Sequence, residues 1–261
     1  VLPVCLGQGT RVTQFLMADS KCYRAQIQLG VITDTNDTSG RIVHREDPSG
    51  ISREQLAAAL TAFCGVIQQI PPPYSAVKHQ GKPLYQWTRA GIPVKQSSRP
   101  AQIYRLELLD FRSPLVTVEV ECGKGTYIRS LAHDLGQVLG CGASLKSLIR
   151  LRCGRFNISD AISVPQLVAA LRYGYWPRLV YPIDIVLSHW AAMVVSDETG
   201  QVISQGRSVA LGGNLASPAA AARCRVYTRD GGFLGILHFN PGSVLWQPEK
   251  VFGLPPGIEI V

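Results

Sequence analysis

The octet Gly123-Lys124-Gly125-Thr126-Tyr127-Ile128-Arg129-Ser130 carries the side chains best suited to chemistry. It places a tyrosine and, two positions on, an arginine where a strand-like run (Val116, Val118, Val120) gives way to a helix-like one (Ile128, Leu131, Ala132, Leu135, Leu139). The two glycines let the backbone turn tightly at the end of the strand. The N–H groups that open a helix lack partners and welcome anions, whereas a cation there opposes the helix dipole. An arginine set against that preference requires an anionic partner, a carboxylate or a phosphate. An ordinary strand–helix join with a surface arginine and a packing tyrosine fits the same octet, because short motifs also match by chance.

Two further tyrosines stand in comparable places. Tyr23 starts a strand beside Lys21, and Tyr74 follows the proline run 71–73. A protein that reacts on a nucleobase must extrude the base and hold it by stacking and edge hydrogen bonds. Tyrosines at element ends beside basic residues suit that task, although each taken singly also fits a core or rim aromatic.

Other chemistries are excluded. Gly123 has no glycine upstream at P-loop spacing, no G-x-G-x-x-G lies in a strand–helix frame, and G-x-S-x-G is absent. The five histidines are scattered without ligand spacing, so no metal site is expected. Seven cysteines, odd in number and without a C-x-x-C pair, predict reduced thiols in a cytoplasmic protein. No apolar run reaches the ~18 residues of a membrane span, and no signal-peptide pattern opens the chain.

The chain has 261 residues, 46% of them hydrophobic and 17% charged, the profile of a globular protein. Its formal charge of +8 is unevenly spread: residues 76–155 hold half of the 26 basic residues and only five of the 18 acidic ones. The octet lies inside that basic segment. Concentrated positive charge points to a polyanion, nucleic acid first, with a solvated basic face as the alternative.

The elements that must position these residues follow from patterning. Residues 23–29 alternate as a half-buried strand, and 33–40 form a polar loop. Ser52 and Gln55 make a capping box for a helix that Gly65 stops, and a short amphipathic helix falls near 84–90. Strands are predicted at 101–109 and 115–121, the octet's helix runs to Leu139, and a second helix is predicted near 144–151. Ser163 and Gln166 open one more helix, ended by Gly174. Beyond Pro177 the chain reads as strands and turns with little helix, including a hairpin of Val226–Thr228 with Phe233–Phe239. The domain boundary is placed at 182/183.

Three blocks, taken together and in order, resemble the TruB family of tRNA pseudouridine synthases. They are Lys21-Cys22-Tyr23-Arg24-Ala25 running on to Thr33-Asp34-Thr35, Asp37 and Gly40; Gln69 to Lys78 with Gly81, Leu84-Tyr85, Arg89 and Gly91; and Gly125 to Leu131, Asp134-Leu135-Gly136, Gly140-Cys141-Gly142-Ala143 and Leu148-Ile149-Arg150-Leu151. The resemblance covers residues 1 to about 180. It implies an α+β fold with a mixed, mainly antiparallel sheet flanked by helices over 1–182, and a small β-rich, PUA-like RNA-binding domain over 183–261. It also implies isomerisation of a uridine to pseudouridine in the T loop of tRNA, position 55, by base flipping and an aspartate nucleophile. No cofactor or metal is implied.

By position in the family pattern, Tyr23 stacks on the flipped base and assists the final deprotonation. Tyr127 lines the pocket, Arg129 pairs with the catalytic aspartate, and Leu148 contacts the base from the far side. Lys78, Lys82, Arg89, Arg150 and Arg152 are candidates for phosphate contact. The partner is the T arm of tRNA, with no membrane and a monomeric enzyme. The chain departs from the pattern at one point: the family's Thr-Leu-Asp-Pro type motif, which runs into Val-Leu-Pro, has no counterpart in residues 1–261. Asp34, Asp37 and Asp134 fall in a loop and in a helix, which do not suit a substitute. The chain as it stands is therefore expected to bind structured RNA without forming pseudouridine. A non-catalytic RNA-binding protein on the same fold is the alternative.

Overall fold

In the computed structural model, residues 1–211 and 222–253 are described. They divide into two compact units, one of Val1–Pro3 with Met17–Ala161, the other of Val4–Leu16 with the chain from Ile162 on. A short helix, α1 (Thr13–Ala18), carries the chain from the second unit into the first.

The first unit is built on one six-stranded sheet. Its elements are β1 (Lys21–Leu29), β2 (Val31–Thr33), β3 (Ile42–Arg45), α2 (Arg53–Thr61), β4 (Gly65–Gln69), β5 (Lys78–His79), β6 (Lys82–Pro83), α3 (Leu84–Arg89), β7 (Arg99–Arg112), β8 (Leu115–Cys122), α4 (Ile128–Val138), β9 (Ala143–Cys153) and β10 (Phe156–Asn157). The strand order is β10-β9-β1-β8-β7-β4, with every neighbouring pair antiparallel. β2–β3 and β5–β6 form separate two-stranded ribbons.

Alternation makes the sheet one-sided. Val116, Val118, Val120 and Cys122 of β8 point inward while the residues between them do not, and Ala25, Ile27 and Leu29 of β1 join them. Against this face lie Leu131, Ala132 and Leu135 of α4 and Leu56 and Leu60 of α2, all buried. Each large apolar side chain removed from water contributes about 1.5–3 kcal/mol, so the helix that carries Arg129 is anchored along its whole length. The Ser52–Gln55 box caps α2, with both reciprocal hydrogen bonds present.

The segment expected as a helix near 144–151 is a strand, β9, paired with β1 from Leu29↔Ala143 to Lys21↔Cys153. The reason is physical. Register shifts between Cys22 and Tyr23 and between Gln26 and Ile27 interrupt the pairing. Such irregularities break the period of two, leaving Leu145, Leu148, Ile149 and Arg152 at spacings that imitate a helical stripe.

The second unit contains α5 (Val164–Arg172), β11 (Ala191–Val194), α6 (Asp197–Ser204), β12 (Arg223–Tyr227), β13 (Phe233–Asn240) and β14 (Leu245–Val251). Its sheet runs β11-β12-β13-β14 around buried Cys224, Leu237 and Trp246, and β12–β13 is the hairpin expected from sequence. α6 is the helix that patterning passed over, although Ser196 caps it and Asp197 and Glu198 fill its first turn. The stretch 183–261 read as PUA-like includes 212–221 and 254–261, which lie outside the described residues. Among the described residues no helix is long and apolar enough to cross a membrane, and no cluster of His, Cys, Asp or Glu is arranged to hold a metal ion. The cysteines are free thiols.

Candidate active site

The turn between β8 and α4 is closed by Thr126, whose hydroxyl donates to the Gly123 carbonyl at 3.1 Å, and by Gly125 at φ +79°. That left-handed backbone is where a glycine is needed. The turn delivers Tyr127 to the cap position of α4 in extended geometry (φ −102°, ψ 110°), and Arg129 follows as its second helical residue.

Arg129 reaches backward from the helix. One guanidinium nitrogen donates to the Tyr74 carbonyl at 2.7 Å; the other lies 3.3 Å from Asp37 Oδ2 and 3.5 Å from the Thr35 carbonyl. The side chains of Arg129 and Asp37 are 26% and 24% exposed, so the pair is sheltered but reachable. Asp37 is itself oriented: its Oδ1 accepts from Thr35 Oγ1 at 2.9 Å and from the Ser39 backbone N–H at 3.1 Å and hydroxyl at 2.5 Å. Burial pushes the Asp37 carboxyl up, but these hydrogen bonds and the Arg129 charge outweigh it and hold the group below the usual carboxylate range. It is a fixed anion at neutral pH.

The loop that carries Asp37 is fastened to the sheet edge. Leu145 N–H donates to the Asn36 carbonyl at 3.0 Å and Thr38 N–H to the Leu145 carbonyl at 2.8 Å. Loop 33–40, the segment at Tyr74 and the start of α4 therefore converge on one guanidinium. The carboxylate beside Arg129 is Asp37, a residue set aside in the sequence as part of a loop, and not the catalytic aspartate that the resemblance implies. No spacing rule links positions 92 residues apart.

Tyr23 lies on β1 between Val120 of β8 and Arg150 of β9. Burial raises the Tyr23 phenol, with Cys122 adding to the rise and Arg150 opposing it, so the ring is a neutral phenol at physiological pH. Leu148 is 42% exposed on β9, opposite Ala25. Arg150 donates from Nε to the Val1 carbonyl at 2.7 Å. Lys78 stands apart on β5, in a recess also lined by His79, Lys95, Gln96 and Arg99. Asp134 sits on α4, where burial raises its carboxyl.

The sheet carries a phenol (Tyr23) and an apolar side chain (Leu148), and the start of α4 carries an anchored Arg–Asp pair. These are the kinds of group that hold a planar ring and meet a developing charge, the equipment of an enzyme that reacts on a base. Comparison with known proteins gives that class a family. A model of the TruB family pseudouridylate synthase N-terminal domain matches residues 1–128, and one of the tRNA pseudouridylate synthase B C-terminal domain matches 129–188. A tRNA pseudouridine synthase B of Dehalococcoides mccartyi is 41% identical over 97% of this chain and 82% of its own length. One from Chromobacterium violaceum is 43% identical over 76% of this chain and 64% of its own. Among solved structures, a Cbf5-Nop10-Gar1 complex superposes with a TM-score of 0.73 at 24% identity, covering 98% of this chain and 73% of that one. An H/ACA RNP bound to a substrate RNA containing 2'-deoxyuridine gives 0.69 at 21%, covering 96% and 71%. At those identities the structural likeness shows the fold. The chain belongs to the TruB family of pseudouridylate synthases, RNA-modifying isomerases.

Proposed function

We propose that the chain serves isomerisation of uridine 55 in the T loop of tRNA, in the cytoplasm, as a monomer, with 1–182 as the catalytic domain and 183–261 as a PUA-like module that adds RNA contact. The observation that supports this most directly is the Arg129–Asp37 pair at the first turn of α4, immediately after Tyr127. It supplies a fixed cation–anion couple beside aromatic side chains, in a chain whose relatives are tRNA pseudouridine synthases.

In this reading the flipped uracil stacks on Tyr23, Leu148 touches it from the far side, and Tyr127 lines the pocket. Arg129, already paired with Asp37, is proposed to steady the family's aspartate nucleophile, which none of the described residues supplies, as it attacks the nucleoside and the glycosidic bond breaks. The base then turns and rejoins through C5, and the Tyr23 hydroxyl is placed to relay the C5 proton to solvent, giving up its own proton as it takes the new one. No aspartate of the described chain is assigned the nucleophile's part: Asp37 is committed to Arg129, Ser39 and Thr35, and Asp34 to the Arg41 backbone N–H. Lys78 and Arg150 are proposed to meet RNA phosphates.

The test is tritium release from T-arm RNA carrying 5-tritiated uridine, using the protein expressed from its complete gene. Release confined to position 55 is expected. Tight, salt-dependent RNA binding with no release at any uridine would overturn the enzyme reading in favour of a non-catalytic binder.

A further inference from the structure

The described helices are not all capped alike. α2 and α5 each carry the box within their own first turn: Gln55 Oε1 accepts the Ser52 N–H at 2.8 Å, and Gln166 Oε1 accepts the Ser163 N–H at 2.7 Å. α4, the helix that bears Arg129, has no such device. Its cap residue is Tyr127, whose side chain makes no capping hydrogen bond. Ser130, the residue placed to close a box, turns away and donates to the Ile70 carbonyl at 2.6 Å.

Gln69, at the end of β4, supplies what α4 lacks. Its Oε1 accepts the Tyr127 N–H at 3.0 Å, and its Nε2 donates to the Tyr127 carbonyl at 3.2 Å. The same carbonyl also receives the Leu131 N–H at 3.0 Å. Gln69 is 2% exposed and Ser130 1%, so neither has water as an alternative partner. A side chain gripping both the N–H and the C=O of one residue fixes the two peptide planes that flank its Cα. It thereby sets the direction in which the Tyr127 ring leaves the backbone and the azimuth of Arg129 two residues on. We infer that Gln69 is a positioning residue for the isomerisation: from β4 it supplies the acceptor for the cap N–H that the third helical residue supplies in a capping box, and it aims Tyr127 and Arg129 without touching substrate. The inference rests on the proposed function for its kinetic arm alone.

The test uses the protein expressed from its complete gene. Gln69→Leu removes both hydrogen bonds. Gln69→Glu keeps the acceptor for the Tyr127 N–H but, while ionised, offers no donor to the Tyr127 carbonyl. Misplacement of catalytic groups by about an ångström costs on the order of a hundredfold in rate, so kcat on T-arm RNA should fall by about that factor in Gln69→Leu. KM and RNA affinity should stay within about threefold, the split expected when ground-state binding is untouched. The Gln69→Glu defect should shrink as the pH is lowered, because the protonated carboxyl regains a donor. Amide hydrogen exchange across Tyr127–Ser130 should quicken in both variants while exchange in α2 stays as in wild type.

Parallel loss of kcat and RNA affinity, or a pH-independent Gln69→Glu defect with unchanged exchange at Tyr127, would reduce Gln69 to a core hydrogen-bonding residue and overturn the inference. If Gln69→Leu does not fold, Gln69→Glu carries the same readouts. If the wild type leaves T-arm uridine unreacted, the proposed function fails, and the exchange measurement still decides whether Gln69 holds Tyr127.

Discussion

Arg129 and Asp37 stand 92 residues apart in the chain and meet at 3.3 Å, each braced by other partners before they touch. Arg129 is held by the Tyr74 carbonyl, Asp37 by Thr35 and Ser39. Neither side chain has to be ordered at the moment of reaction, which is how a charge pair does useful work in a partly exposed site.

Asp37 makes stability depend on pH, with a definite sign. Its carboxyl is held below the ordinary value despite burial. The stabilisation is therefore fully present above the unfolded value of about 4 and is lost as pH falls through the lower folded value. Asp37→Asn should cost about 1–3 kcal/mol at neutral pH, the range for an unsatisfied hydrogen-bonding cluster. Calorimetric melting of both proteins between about pH 3 and pH 7 should show the gap narrowing on the acid side. A gap constant across the range would mean that the carboxylate charge contributes nothing.

Arg129→Lys separates shape from charge. The guanidinium serves Tyr74, Thr35 and Asp37 at once, whereas an ammonium is a single flexible point charge. Turnover on T-arm RNA should fall by about 10²–10³, the range for removing a preorganised electrostatic group, while RNA affinity changes little. Equal losses in both would make Arg129 a phosphate contact.

Gly136 and Gly140 test how α4 is seated. A Cβ on Gly136 would lie 2.1 Å from Ala143 N and 2.3 Å from Gly142 C, backbone atoms that cannot swing aside. Gly140 meets nothing within 4 Å but sits at φ +75°. Gly136→Ala should lose about 3 kcal/mol or more by overpacking against the start of β9. Gly140→Ala should lose about 1 kcal/mol, from backbone strain alone. Urea midpoints give both numbers, and equal losses would show that α4 can slide away from β9.

The sequence made some of this legible and hid the rest for physical reasons. β1, β8, α2, α4 and the turn at Gly125 were readable because alternation, capping boxes and glycine act over a few residues. β9 was misread as a helix because register shifts against β1 disturbed its period. Tyr127 and Arg129 could be singled out as a pair, yet their supports could not. Asp37 and Gln69 act across 92 and 58 residues, and nothing local in a polar loop or a lone glutamine announces a partner that far away. α6 did have a local signal, a serine followed by two acids, and was legible in principle.

The candidate phosphate contacts could not be ranked from sequence, and in the structure they differ in how far their charges are already paired. Arg152 is committed: it lies 2.5 Å from Glu121 and also donates to Ser20 and to the Gly154 carbonyl. Among the described residues no carboxylate pairs with Lys78, Lys82 or Arg89, and residues 55–106 contain no aspartate or glutamate. Lys82 and Arg89 instead lie over the rings of Trp87 and Tyr85 at 5.6 and 5.4 Å, which leaves their charges available to an anion. Each cation that neutralises a phosphate releases about one counterion, so log K against log salt loses roughly 0.9 in slope per contact removed. Lys78→Ala and Lys82→Ala should each weaken T-arm RNA binding and flatten that slope by about 1. Arg152→Ala should leave the slope as it is and lower the melting temperature, because it strands Glu121 half-buried. Affinity measured at four or five salt concentrations decides the matter. A flattened slope for Arg152→Ala beside an unchanged one for Lys78→Ala would move the RNA path from the β5–β6 ribbon to the β9–β10 side of the sheet.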